Sequence, residues 1–331
     1  MKKEQITWGI IGCGDVTEKK SGPAFNKVSN SQLLAVMRRD GKKAADYARR
    51  HQVPLWYDDV NQLLLNSEIN AIYIATPPSS HLEYAIKALK YGKAVYIEKP
   101  VTLNADEATC LAAAVEQYQG KLVVAHYRRQ LPMFLKIKEI ITQGVIGDIR
   151  LVDLRLWQSR SPDLVTQDPS NWRTNPAISG GGYFFDLSPH QLDLMLYFFG
   201  KPLSYSGFSQ VQNPHNNDVA DQTIGTILFD HKIVFNGSWN FNVSKSDNVD
   251  TCEVIGELGS LKFSIFGNKI TLKGCEGERE IFFTHPENIQ HPMIDNTVNY
   301  FLGNGTNPNP SSIEEAVTLM QMIDTFAVVY H

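Results

Sequence analysis

The stretch ITWGIIGCGDVT, residues 6–17, decides how the first part of this 331-residue chain folds. Its apolar start, Ile6–Ile11, is rich in the β-branched and aromatic residues that favour a strand. Gly12 and Gly14 follow at once, and glycine permits the tight backbone turns that other residues avoid. The stretch therefore predicts a strand, a glycine turn and the start of a helix, in that order.

Short apolar runs and longer amphipathic stretches alternate through the first third of the chain. The strand candidates are ITWGIIG, QLLAVMR, AIYIATP, AVYIEKP and KLVVAHY. Strands that alternate with helices need right-handed crossover connections, which give a parallel sheet covered on both faces. We therefore predict an α/β protein whose residues 1–125 form a Rossmann domain with a doubly wound parallel sheet.

After about residue 126 the alternation gives way to consecutive strands. They are GTILFD, KIVFNGSWNFNV, TCEVIGE, GSLKFSIFG, KITLKG and REIFFT. Strands without intervening helices indicate antiparallel pairing. For residues 126–331 we predict an α/β domain with a large, mostly antiparallel sheet. One face of such a sheet stays exposed unless a partner covers it, so we expect a homo-oligomer, a dimer or a tetramer.

Charge and composition narrow the class of partner. The net charge is −4, so no basic excess exists to grip nucleic acid. No apolar run approaches a membrane-spanning length, and the N-terminus has the features of a folded domain rather than of a signal peptide. The four cysteines lack the spacing of a zinc site or a disulfide framework, which is typical of a reducing cytoplasm. We expect a cytoplasmic protein that binds a small molecule.

The glycine turn has the sequence of a dinucleotide site. A helix that starts directly after such a turn presents backbone N–H groups to a pyrophosphate. We therefore expect Gly12, Gly14, Asp15 and Val16 to contact the cofactor. Thr17 stands where the usual fingerprint has a third glycine. The alternative is a glycine-rich turn at a strand end that binds nothing.

The end of the next strand indicates which dinucleotide is bound. An NAD site usually has an acid there, but this chain has Arg38 and Arg39. Guanidinium groups suit the 2′-phosphate of NADP, so we predict NADP as the preferred cofactor and NAD as the second. The alternative is that both arginines are surface charges and Asp40 binds the ribose.

The stretch SGGGYFFDLSPHQLDLMLYFFG, residues 179–200, places ionisable groups on an apolar helix. Asp186 and His190 are four residues apart and share one helix face. A histidine suits proton removal from an alcohol, and the carboxylate could orient its ring or bind a substrate hydroxyl. The alternative is that Asp186 caps the helix and His190 packs in the core. Asp193 could support His190 or make a packing hydrogen bond. No further ligands accompany these three residues, so we predict no metal.

The order of the motifs resembles the Gfo/Idh/MocA oxidoreductase family. A Gly-x-Gly turn is followed by ATPPSSH at 75–81, EKP at 98–100 and DLSPHQLD at 186–193. The similarity extends over nearly the whole chain, through GVIGDI and VIGELGSLKF. It implies that residues 126–331 form an open-faced α/β domain for substrate binding and oligomerisation. It also implies transfer of a hydride between a nicotinamide and a carbinol or carbonyl carbon of a sugar, an inositol, a sugar derivative or a cyclic diol.

The resemblance also assigns residues. It implies that Lys99 lies near the nicotinamide and the substrate hydroxyl, with Glu98 beside the nicotinamide ribose. Thr76, Pro77 and His81 belong to the cofactor site by the same comparison. Lys99, Asp186 and His190 then form the catalytic set. The alternative is that Lys99 is a solvated surface lysine.

Five further residues are candidates for substrate binding. They follow the last parallel strand or flank the glycines, and they are Tyr127, Arg128, Trp172, Arg173 and Tyr183. A surface ion pair is an equal alternative for Arg173. Two other functions are consistent with the same motifs: a glycoside hydrolase that uses NAD in a closed redox cycle, and a non-catalytic nucleotide-sensing regulator.

Overall fold

The computed structural model describes residues 4–165, 172–213, 219–275, 277–303 and 307–330. Its strands are β1 (Ile6–Ile11), β2 (Ser31–Met37), β3 (Leu55–Tyr57), β4 (Ala71–Ile74), β5 (Ala94–Ile97), β6 (Leu122–Val124), β7 (Ile149–Trp157), β8 (Ser204–Gln210), β9 (Gln222–Leu228), β10 (Val234–Asn240), β11 (Val249–Gly256), β12 (Gly259–Phe263), β13 (Lys269–Gly274) and β14 (Gly277–Phe282).

The α-helices alternate with the first strands and become sparse later. They are α1 (Asp15–Lys19), α2 (Gly41–Arg50), α3 (Val60–Leu65), α4 (His81–Lys90), α5 (Ala105–Gln117), α6 (Pro132–Thr142), α7 (Pro176–Ser179), α8 (Gly182–Phe199), α9 (His291–Leu302) and α10 (Ile313–Phe326). In the described ranges, no helix is long and apolar enough to cross a membrane.

The chain divides into two compact units. The first comprises Met1–Tyr127 and Pro286–Val317, and the second comprises Arg128–His285 and Thr318–His331. The first unit thus includes a late segment that a single linear boundary at residue 125 leaves in the second domain.

The sheet of the first unit confirms the predicted Rossmann architecture. Within the described residues it has six strands in the order β3-β2-β1-β4-β5-β6, and all of the pairs are parallel. The inner strands β4 and β5 are buried at every position, because helices cover both faces of a doubly wound sheet. Doubly wound sheets bind ligands at the carboxyl ends of their strands. The predicted cofactor residues follow the carboxyl ends of β1, β2, β4 and β5.

Long-range contacts attach the late segment to the first unit. The Lys121 ammonium donates to the carbonyl oxygens of Tyr300 and Phe301, at the end of α9. The Phe301 ring also lies 5.7 Å from the ring of Trp8, in the centre of the sheet. Lys121 and Phe301 are 180 residues apart in the sequence, and Trp8 is farther still from Phe301, so local patterns do not reveal these contacts.

The second unit has the predicted large sheet. Across its described residues the strand order is β14-β13-β12-β11-β7-β10-β9-β8, and only the β7–β10 pair is parallel. Buried and more exposed side chains alternate along β10, where Phe235, Gly237 and Trp239 face the core. Large apolar side chains, including Phe208 and Leu228, are exposed on the neighbouring strands.

Candidate active site

Steric fit makes the first glycine of the turn irreplaceable. Gly12 has a φ of +93°, and a Cβ there would lie 2.7 Å from Thr76 Cγ2 and 2.8 Å from Thr76 N. Only glycine therefore lets the ends of β1 and β4 come so close. A Cβ on Gly14 would meet no atom within 4 Å, so its backbone is uncovered. This open cradle fits a dinucleotide pyrophosphate.

A threonine replaces the third glycine without disturbing the turn. The Thr17 hydroxyl donates to the carbonyl oxygen of Gly14 over 2.7 Å, which fixes the start of α1. Asp15 and Val16 open this short helix, and no side chain caps it. The four predicted residues thus lie together in the first unit, in the glycine turn and at the start of α1.

The groups at the end of β2 favour a phosphate over a ribose hydroxyl. Arg38 Nη1 donates to the carbonyl oxygen of Cys13 over 3.0 Å, which anchors the guanidinium beside the glycine turn. Asp40, the alternative ribose partner, accepts from the Lys43 N–H over 3.2 Å and caps α2. Arg39 is exposed. Because a guanidinium has five N–H donors, the bond to Cys13 leaves others for an anion.

His81 connects two of the cofactor segments. Its Nε2 lies 2.7 Å from the carbonyl oxygen of Thr76 and its Nδ1 lies 3.0 Å from that of Pro100. The side chain is fully buried, and burial lowers its pKa. The Lys99–Pro100 peptide bond is cis. His81 therefore contacts the backbone that follows β4 and the backbone that follows β5. It contributes to the cofactor site indirectly, by positioning these two segments.

Glu98 is enclosed in a buried polar network. Its Oε1 accepts from the Tyr73 hydroxyl and from Gln290 Nε2, each over 2.6 Å, and its Oε2 accepts from the Lys99 N–H over 3.2 Å. Burial raises the pKa of Tyr73 well above its usual range, and the neighbouring Glu98 carboxylate adds to this, so the phenol stays a donor. The network fixes the backbone of Lys99, whose side chain is partly exposed.

In the second unit, glycines allow the close packing that starts α8. Gly182 has a φ of +80°, and a Cβ there would collide with the side chain of Val219. A Cβ on Gly181 would overlap the ring of Phe185. The helix that follows is buried along most of its length. Its predicted ionisable residues are therefore held in a rigid setting.

Asp186 is held by an ion pair rather than used as a helix cap. Arg173 Nε donates to Asp186 Oδ2 over 2.9 Å, and the two side chains are only 15% and 13% exposed. The Arg173 guanidinium also stacks 4.4 Å from the ring centroid of Trp172. The residue at the cap position of α8 is Gly181. Arg173 thus makes an ion pair, but a largely buried one rather than the surface pair that the sequence left as an alternative to substrate binding.

His190 follows Asp186 by one helical turn and is only 5% exposed. Its ring meets the ring of Phe266 edge to face, with centroids 5.6 Å apart. Arg128, a predicted substrate residue, is also 5% exposed and lies against the same phenylalanine. Arg128 therefore supports the region of His190 from within the fold.

Asp193 makes a buried ion pair. It accepts from Arg129 Nη2 over 2.7 Å and from Arg129 Nε over 2.9 Å, and each side chain is 3% exposed. This favours the packing alternative for Asp193. The arginine pair after β6 is the signal that could have pointed to Arg129. Among the residues with described positions, no group of His, Cys, Asp and Glu could hold a metal ion.

The remaining substrate candidates lie in different surroundings. Tyr127 is 6% exposed and ends the continuous part of the first unit. Tyr183 borders a small polar cavity of about 40 Å³ in the second unit. The cavity is lined by Arg160, Thr174, Tyr183, Asn213, Val219, Ala220, Asp221 and Phe241.

Sheet order and glycine turn together define an NAD(P)-binding Rossmann protein. A model of the oxidoreductase family with an NAD-binding Rossmann fold matches residues 6–126, and one of the GFO/IDH/MocA C-terminal domain matches residues 134–262. The chain belongs to the Gfo/Idh/MocA family of oxidoreductases.

Known proteins resemble the chain over nearly its whole length. Oxidoreductase P35 of Formosa agariphila is 46% identical over 325 residues, which cover 98% of this chain and 99% of that protein. Aldose-aldose oxidoreductase from Caulobacter crescentus, complexed with glycerol, has a TM-score of 0.86 at 19% identity, with 97% of this chain and 96% of that chain covered. Levoglucosan dehydrogenase in complex with NADH and levoglucosan has a TM-score of 0.83 at 22% identity, with 97% and 96% covered.

Proposed function

We propose that this oxidoreductase transfers a hydride between a nicotinamide and a CH–OH or carbonyl carbon of a polyhydroxylated small molecule. The substrate classes are sugars, inositols, sugar derivatives and cyclic diols. One observation carries the proposal: the Lys, Asp and His of the family motifs are all present, and neighbours in their own units hold the Lys99 backbone and the Asp186 and His190 side chains. The solved relatives contain glycerol and levoglucosan, which are polyhydroxylated small molecules, and this is consistent with the proposed class.

We assign the first unit to the cofactor and the second to the substrate. Gly12, Gly14, Asp15 and Val16 would hold the pyrophosphate, and the uncovered backbone at Gly14 leaves room for it. Thr76 and Pro77 would line the path towards the nicotinamide. Glu98, fixed by Tyr73 and Gln290, would lie beside the nicotinamide ribose.

The proposed chemistry divides between a base and a cation. A bound nicotinamide supplies the hydride acceptor or donor. In the oxidation, His190 takes the proton from the substrate O–H while the C–H electron pair leaves as hydride. The Lys99 ammonium stabilises the negative charge that develops on the oxygen. Asp186, oriented by Arg173, binds an adjacent hydroxyl or orients the imidazole. Reduction runs through the same groups in reverse.

We expect Arg38→Asp to weaken NADPH binding selectively. The change removes a guanidinium beside the glycine turn and puts a carboxylate there. Loss of a charge-assisted hydrogen bond predicts a rise of roughly tenfold or more in the Kd for NADPH. The Kd for NADH should change by less than about threefold, because no 2′-phosphate is involved. Fluorescence titration of both cofactors measures this, with Lys42→Asp on α2 as an exposed control. Equal losses for both cofactors would contradict the NADP preference.

We also propose a homo-oligomer, through the exposed side of β8–β10. Apolar side chains on or beside these strands are 39–66% exposed: Leu203, Phe208, Leu228 and Val234. Such a cluster is unusual on a monomer. The chain has a mass of 37.2 kDa, and light scattering should give at least twice this mass. A monomer at micromolar concentration would contradict this expectation.

A further inference from the structure

The loop 264–267, which follows β12, is tied by three hydrogen bonds to Asp250, near the start of β11. The Asp250 carboxylate accepts from the N–H of Ile265 over 3.1 Å and from that of Phe266 over 2.8 Å. The Ser264 hydroxyl donates to the Asp250 carbonyl oxygen over 2.6 Å. Two successive N–H groups bound by one carboxylate fix the local backbone.

A buried arginine completes the restraint. Arg128 Nη1 donates to the carbonyl oxygen of Ile265 over 2.6 Å, and its guanidinium carbon lies 4.3 Å from the ring centroid of Phe266. Burial raises the pKa of Asp250, so desolvation of this carboxylate outweighs its N–H donors and Arg128. Arg128 and Asp250 thus both restrain the loop that carries Phe266, one through the Ile265 carbonyl oxygen and the other through two backbone N–H groups.

The restrained ring touches the proposed base. Phe266 and His190 meet at an interplanar angle of 85°, with centroids 5.6 Å apart. The second side-chain torsion of histidine is broad, so the helix backbone does not set the plane of the imidazole. An edge-to-face partner restricts that plane. Phe266 is itself partly exposed, whereas His190 is buried.

We propose that Phe266 is a positioning residue for His190, and this rests on the proposed function of His190 as the base. The ring of Phe266, clamped by Arg128 and by the Asp250-bound loop, holds the imidazole in the orientation needed for proton transfer. Loss of the ring weakens the restraint on the imidazole plane, which slows the chemical step and leaves ground-state binding nearly unchanged.

Phe266→Leu tests the proposal by separating kcat from KM. With NADP and a substrate that the wild type oxidises, we expect kcat to fall about tenfold and KM to change by less than about twofold. Phe266→Tyr keeps the ring and should retain kcat within about threefold of the wild type. Phe282→Leu removes a ring that is 67% exposed on β14 and serves as the matched control. Phe266→Met, which keeps apolar volume without a ring, should behave like Phe266→Leu and replaces it if that variant folds poorly.

A double-mutant cycle separates positioning from general destabilisation. In a His190→Gln background, Phe266→Leu should cause no further loss of the residual rate, because the group that it positions is gone. The same fold-loss in both backgrounds, or an unchanged kcat in Phe266→Leu while His190→Gln is impaired, would overturn the positioning role alone. A His190→Gln variant as active as the wild type would overturn the assignment of the base and this proposal with it.

Discussion

Replacing Lys99 with alanine should nearly abolish turnover and leave cofactor binding intact. The ammonium stabilises charge that develops on the substrate oxygen, and loss of such a group costs about a hundredfold to a thousandfold in kcat. The Lys99 N–H donates to the Glu98 carboxylate, and alanine retains this backbone bond, so the site should survive the change. Steady-state kinetics measures kcat, and a fluorescence titration measures the Kd for NADPH.

The surface provides a matched control for Lys99→Ala. Lys87 lies on α4 and pairs with Glu83 over 2.6 Å in an exposed setting. Exposed pairs of this kind contribute little, so Lys87→Ala should leave both kcat and the Kd unchanged. A Lys99→Ala variant with the turnover of the Lys87→Ala variant would mean that Lys99 is a solvated surface lysine and not part of the reaction.

The largest loss of stability should follow from breaking the Arg129–Asp193 pair. Both side chains are 3% exposed, so Asp193→Ala leaves a buried guanidinium without its carboxylate. Removal of one partner of a buried pair costs about 3–5 kcal/mol of unfolding free energy. Burial lowers the pKa of the nearby Lys138, and the charge of Arg129 adds to this. Without the Asp193 carboxylate, the positive charges of Arg129 and Lys138 would therefore repel each other with less compensation.

A double replacement tests this reason. In Arg129→Met with Asp193→Leu, apolar side chains replace both charges, and most of the lost stability should return. Urea unfolding followed by fluorescence gives the free energies of unfolding of the wild type, Asp193→Leu, Arg129→Met and the double variant. If the loss in the double variant equalled the sum of the two single losses, the two groups would not interact as the structure indicates.

Local sequence patterns were sufficient for most of the architecture. The alternation of strands and helices leads to a parallel sheet, because each crossover has one favoured hand. The glycine turn and the arginines after β2 could also be placed from the sequence, because each directly follows a predicted strand. The consecutive later strands likewise indicated an antiparallel sheet. Each of these inferences uses residues that lie close together in the sequence.

The remaining features depend on residues far apart in the chain. The segment that carries Gln290 joins the first unit through contacts with Tyr96 and Glu98, which lie 194 and 192 residues away. The parallel pairing of β7 with β10 has no local signature. Asp193 had two equal interpretations because its partner, Arg129, lies 64 residues away. The contact between Phe266 and His190 could not be predicted either, because these two residues are also far apart in the sequence.

The direct test of the proposed function is the absorbance of reduced nicotinamide during a reaction. Purified wild-type protein is mixed with NADP or NAD and with a panel of sugars, inositols and cyclic diols. We predict a substrate-dependent rise that is faster with NADP and absent from Lys99→Ala. Glycoside cleavage without any net rise, by protein that retains a non-exchanging NAD, would contradict the proposed hydride transfer to a free cofactor.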